Sequence, residues 1–177
     1  MNDGIWDHFS HPLPFNTKSY KTKKNSGCEH KEGANLTNLK TVFQNNRNWV
    51  KEKTSEDPNY FKRHTSGQSP PYLWVGCSDS RVPPNEILGL EKGDLFVLRN
   101  VANIVSPSDI GSLAVIQYTV EVLKVTDIIV AGHYGCGGVK ASVTKFDHGP
   151  LEAWLSQLRK IRHKNAKILE KYTTIDD

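Results

Sequence analysis

The chain has 177 residues, 37% of them hydrophobic and 24% charged, which is enough for one buried core and argues against both a two-domain packing and wholesale disorder. No apolar run reaches the roughly 18 residues of a membrane span, and none follows a basic start as in a secretory leader, so neither a membrane nor an export role is expected. The net charge of +4 is no footprint for nucleic acid either: between Asn16 and Glu32 five lysines stand against two glutamates, and the remainder is nearly neutral.

Residues 1–34 are rich in Lys, Ser, Thr, Asn, Pro and His with no helical or strand period, which predicts a flexible extension ahead of a domain over 35–177. Transit peptides are Arg-rich and acid-poor, whereas this segment has no Arg and carries Asp3 and Asp7. The expected compartment is therefore the cytoplasm, with the mitochondrion as the alternative. Cys28, Cys77 and Cys136 are too few for a disulfide framework, which fits a reducing compartment with thiols free for metal or chemistry.

Leu36, Leu39, Val42, Phe43, Trp49 and Val50 recur at helical spacing, and Asp57-Pro58 breaks the pattern. After the turn-rich Ser66–Pro71, the run Tyr72-Leu73-Trp74-Val75-Gly76 reads as a buried strand ending at Cys77. Asp94–Asn100 repeats that signal. A helix is expected from Ser108 or Asp109 to Leu123, a third buried strand over Asp127–Gly132 ending at His133, and a further helix over Pro150–Lys171. Strands alternating with helices predict an α/β fold with a mostly parallel sheet, in which sites form at the carboxyl ends of strands. Cys77 and His133 both fall there.

The chemistry is concentrated in Cys77-Ser78-Asp79-Ser80-Arg81 and His133-Tyr134-Gly135-Cys136-Gly137-Gly138. Thiolate and imidazole are ligands that zinc prefers, and three protein ligands leave a fourth tetrahedral position open, as in catalytic sites. The glycines beside Cys136 allow backbone angles that side chains resist. Other readings stand beside this one. Cys77 and Arg81 resemble a nucleophile with an anion-binding partner, although Pro83-Pro84 removes two N–H donors from any phosphate cradle. A structural zinc site needs a fourth ligand, for which Cys28, His30, His8 and His11 are the candidates. Either Cys alone is commonly just core packing. The Gly135–Gly138 run lacks the pattern of a phosphate loop.

Taken together, Leu73-Trp74-Val75-Gly76-Cys77-Ser78-Asp79-Ser80-Arg81-Val82-Pro83, Arg99-Asn100-Val101-Ala102-Asn103 and Gly132-His133-Tyr134-Gly135-Cys136-Gly137-Gly138-Val139 resemble the β-class carbonic anhydrases. The resemblance implies one Zn²⁺ per chain on Cys77, His133 and Cys136, and an Asp79–Arg81 dyad beside it. The implied reaction is reversible hydration of carbon dioxide to bicarbonate and a proton by zinc-bound hydroxide. It places Gln68, Phe96, Val101 and Tyr118 in the substrate pocket, and Trp74 and Arg99 at a bicarbonate-regulatory position of one subgroup. It also implies a homodimer or higher homo-oligomer. Members of the family continue past the Pro150–Lys171 helix with another strand and helices, so the expected fold lacks that part. A catalytically impaired zinc-binding isoform, or a hydrolase of CS₂ or COS on the same scaffold, are the alternatives.

Overall fold

The computed structural model describes residues 38–63, 65–144 and 149–173. The Lys-rich segment 1–34, with His8, His11, Cys28 and His30, lies outside them. The chain divides into two compact units, one ending at Gly67 and the other beginning at Gln68.

In the first unit, α1 (Leu39–Glu56) starts where the Asn38 side chain accepts a hydrogen bond from the Thr41 N–H at 3.0 Å. It stops at Asp57, whose backbone is extended ahead of Pro58 and whose N–H still reaches the Lys53 carbonyl. The short α2 (Tyr60–Arg63) follows. Trp49 meets Tyr60 and Phe61 edge-on, with ring centroids 6.1 and 5.5 Å apart, so the aromatic residues on both sides of the Pro58 break join the two helices.

The second unit contains β1 (Tyr72–Cys77), α3 (Pro84–Leu88), β2 (Leu95–Asn100), a 3₁₀ turn (Val101–Asn103), α4 (Ile110–Gln117) continued by a π-helical stretch (Tyr118–Leu123), β3 (Asp127–Ala131), α5 (Gly137–Val143), α6 (Pro150–Lys164) and α7 (Ala166–Leu169). The three strands form one parallel sheet in the order β2-β1-β3. This is the expected α/β architecture. Tyr72 pairs with Leu95 and Asp127, and Cys77 with Asn100, so the carboxyl ends of the strands lie side by side.

The core has two parts. Leu73 and Val75 of β1 and Leu98 of β2 are buried under Val115 and Ile116 of α4, with Phe96 and Val125 alongside. Beyond the strand ends, Cys77, Ala102, Ile104, Cys136 and Leu155 form a second buried cluster, closed by Val139 of α5 and by Leu151, Trp154 and Leu158 of α6. The Cys77 and Cys136 thiols are thus walled by apolar side chains.

Two expectations are corrected. The third strand was expected to be buried, but Ile128 and Val130 are 48% and 66% exposed. An apolar run identifies a strand without specifying which layer covers it, and β3 lies at the sheet edge with β1 as its partner. The helix expected over Pro150–Lys171 breaks at Asn165, where the side chain donates to the Ile161 carbonyl at 2.8 Å and the backbone leaves helical geometry. Short amide side chains compete in this way with the helical ladder.

Candidate active site

Each ligand arises from the end of a strand or the start of a helix. Cys77 is the last residue of β1, His133 follows β3, and Cys136 is the N-cap of α5. Their ligand atoms all lie within 4.8 Å of one another, and the two sulfurs are 3.9 Å apart. His133 Nδ1 lies 3.0 Å from the Tyr134 carbonyl oxygen; since a carbonyl only accepts, Nδ1 carries the proton and Nε2 keeps its lone pair. That Nε2 is buried and has no hydrogen-bond partner. Of the glycines flanking Cys136, Gly135 takes φ 63°, in the left-handed region, whereas Gly137 opens α5.

Backbone donors surround the sulfurs. The N–H groups of Asp79 and Ala102 act to lower the Cys77 pKa, and those of Val139 and Gly138, at the start of α5, act to lower that of Cys136. Burial raises the Cys77 thiol, but the adjacent His133 imidazole and the N–H groups of Asp79 and Ala102 outweigh it, and its pKa is lowered. For Cys136 burial prevails, with the neighbouring Cys77 adding to it, and the pKa is raised.

Asp79 and Arg81 are joined by a fork: Nε to Oδ1 at 2.9 Å and Nη2 to Oδ2 at 2.7 Å, with the Arg81 N–H also on Oδ1 at 3.0 Å. The Arg81 guanidinium and N–H hold the Asp79 carboxyl far below the usual carboxylate range, against a small opposing effect of desolvation. Oδ2 stands 3.9 Å from His133 Nε2. Arg81 Nη2 also lies 3.4 Å from the Gly135 carbonyl, so one guanidinium ties the turn after β1 to the turn after β3.

The remaining candidates are placed differently. Val101 borders the site, because a Cβ added at Gly138 would stand 3.0 Å from its Cγ1. Phe96 pairs with Leu73, four residues before Cys77, and its ring sits 5.9 Å from that of Tyr118. Gln68 is exposed ahead of β1. The Trp74 indole lies over Gly76 and its buried Nε1 has no partner among the described residues. Arg99 gives Nε to the Cys77 carbonyl at 2.8 Å and Nη2 to the Asp79 carbonyl at 2.6 Å. It therefore clamps the backbone that carries both a ligand and the carboxylate, a role no sequence spacing suggests. The Ala102, Gly138 and Val139 contacts also escape sequence reading, since the groups used are backbone N–H.

The family model described as carbonic anhydrase matches residues 72–176. The chain belongs to the carbonic anhydrase family. Within it the β class is shown by solved structures: a tetrameric β-carbonic anhydrase of Sordaria macrospora is 42% identical with a TM-score of 0.70, over 76% of this chain and 69% of that one. A Coccomyxa β-carbonic anhydrase in complex with acetazolamide is 38% identical, also with a TM-score of 0.70, over 79% of this chain and 64% of that one. A carbonic anhydrase of Emericella nidulans is 50% identical over 129 residues, covering 73% of this chain and 57% of that protein. The carbonic anhydrase of Candida albicans is 45% identical over 136 residues, 76% of this chain and 48% of that protein. The chain thus spans about half the length of these two relatives. All the ligand and dyad residues lie inside the segment matched to the carbonic anhydrase family.

Proposed function

We propose that this chain binds one Zn²⁺ through Cys77, His133 and Cys136 and that its protein catalyses the reversible hydration of carbon dioxide to bicarbonate and a proton. The observation that carries the reading is the convergence of two thiols and a buried imidazole whose Nε2 has no hydrogen-bond partner. A buried polar atom in that condition is costly unless something occupies its lone pair. Soft sulfur and imidazole donors suit zinc, and three of them leave room for a fourth ligand.

Zinc held there supplies a Lewis acid that acidifies water. The chain's own groups do the rest. Arg81 engages both oxygens of Asp79, which keeps the carboxylate ionised and restrains it from turning into the cluster as a ligand. Oδ2 stands 3.9 Å from His133 Nε2, placed to take a hydrogen bond from the reacting water and orient its lone pair toward carbon dioxide. One C–O bond forms, one O–H bond breaks, and the proton leaves to solvent. The Cys77 and Cys136 sulfurs are shielded from bulk water by the Ile104, Leu155 and Trp154 layer.

A homo-oligomer is part of the proposal. It is supported by the exposed apolar side chains of Ile110, Val122 and Val130 and by the tetrameric Sordaria relative. The test is metal content, sedimentation and carbon dioxide hydration on one preparation of the 177-residue chain. One equivalent of zinc with turnover supports the reading; no zinc after exposure to stoichiometric Zn²⁺ under reducing conditions defeats it.

A further inference from the structure

The 3₁₀ turn between β2 and α4 is built against its own backbone preference. Ala102 and Asn103 take φ 64° and 43°, the left-handed region that side chains disfavour. Such a conformation persists only when its surroundings impose it. Asn100 closes the turn at its base, accepting from the Ile104 N–H at 2.7 Å and donating to the Ile104 carbonyl at 2.7 Å. Gly138 backs it from one side: a Cβ there would stand 2.8 Å from the Ala102 Cβ. From α6, the Trp154 indole Nε1 donates to the Val101 carbonyl at 2.9 Å. This turn packs in one buried cluster with Cys77 and Cys136, and the Ala102 N–H is among the groups that lower the Cys77 pKa.

We infer that Trp154 is a positioning residue for the metal centre: its indole N–H, by holding the Val101 carbonyl, keeps the left-handed turn in the one conformation that presents the Ala102 N–H to Cys77. The inference rests on the reading of Cys77 as a zinc ligand and extends it to the helix behind the site. Hydrogen bonds to a ligating thiolate set how much charge it donates and how it is aimed, and outer partners of this kind typically change metal affinity about 10- to 100-fold. Loss of the indole donor leaves the Val101 carbonyl without that partner and lets the peptide after it turn, carrying the Ala102 N–H off the sulfur.

The test replaces Trp154 in the 177-residue chain in two ways: Trp154→Phe, and substitution by benzothienylalanine, which keeps the indole shape and removes the N–H. The readouts are the sulfur-to-cobalt charge-transfer band of the Co²⁺-loaded protein and Zn²⁺ affinity by chelator competition. Losing a hydrogen bond to thiolate should move the band to lower energy and weaken Zn²⁺ binding about tenfold. Leu158→Ala serves as the comparison, because it loosens the same face of α6 without touching the indole hydrogen bond. It should lower stability and leave the band in place. An unchanged band and affinity in the folded benzothienylalanine protein, or an equal shift in Leu158→Ala, would overturn the inference even if Trp154→Phe fails to fold. If the unsubstituted chain shows no charge-transfer band at all, the ligand assignment falls and this inference with it; a normal band insensitive to Trp154 removes the inference alone.

Discussion

At the residue scale the decisive pair is Asp79 with Arg81. Its guanidinium is mostly exposed while the carboxylate is 84% covered, the Asp79 side chain having a relative exposure of 16%. The bidentate fork fixes how the covered carboxylate is turned, so the pair's importance lies in orientation. Asp79→Asn keeps the shape and removes the acceptor charge. It should leave zinc stoichiometry intact and reduce carbon dioxide hydration by roughly 100-fold or more, the range of a positioned acid–base group. Stopped-flow hydration with metal analysis on the same sample checks this, and wild-type turnover in the variant would take Asp79 out of the mechanism. That Cys77, His133 and Cys136 would cluster beside Asp79 and Arg81 could be read from sequence, because each lies at or just beyond a strand end, where a short apolar run meets Cys77 or His133. Ala102 and Trp154 could not. An alanine carries no sign that its φ is positive, and a tryptophan on an amphipathic helix reads as core whether or not its N–H has a task.

At the scale of elements, α4 shows how one capping residue sets a helix start. Asp109 is the N-cap, accepting from the Gly111 N–H at 3.2 Å and from the Ser112 hydroxyl. The Ser112 hydroxyl, helped by the Ser112 and Gly111 N–H groups and opposed by desolvation, lowers the Asp109 pKa. The folded value thus lies below the unfolded one. The carboxylate's contribution is fully present above about pH 3.9, the ordinary aspartate value, and is lost as pH falls through the lower folded value. Asn caps as well as Asp but does not titrate. Asp109→Asn should match the wild type near neutrality and lack this component of acid destabilisation. Parallel unfolding curves for the two proteins between about pH 5 and pH 3 would contradict it. The start of α4 was legible as Ser108 or Asp109; the choice depended on which side chain faces the N–H of Gly111. The exposure of β3 was not legible, because Ile128 and Val130 have the same composition in a covered strand as in an open one.

For the whole molecule, the ligands join segments far apart in the chain. Cys77 and Cys136 are separated by 59 positions, and an ion bridging them restrains the unfolded chain over that span. Zinc that binds the folded state alone should stabilise it by about 2.7 kcal/mol at a free concentration 100 times its Kd. That corresponds to a rise in Tm of very roughly 5–10 °C for a chain of this size. Thermal melts with and without a chelator measure it, and superimposable melts would show that the site contributes nothing to folding. The α/β class and the parallel sheet followed from the alternation of strands and helices; the order of the strands did not, and nor did the break at Asn165, because the helical pattern itself runs through it.

The strand order also bears on synthesis. β1 is the central strand and the first of the three in the chain, with β2 and β3 added on either side. A ribosome therefore releases the most buried strand first and leaves one of its edges without a partner until β3 emerges more than 50 residues later. Parallel pairing over such separations is slow, so the nascent chain passes through an interval in which Leu73, Trp74 and Val75 are available to the wrong neighbours. The same interval ends, within a few residues of β3, with the delivery of His133 and Cys136.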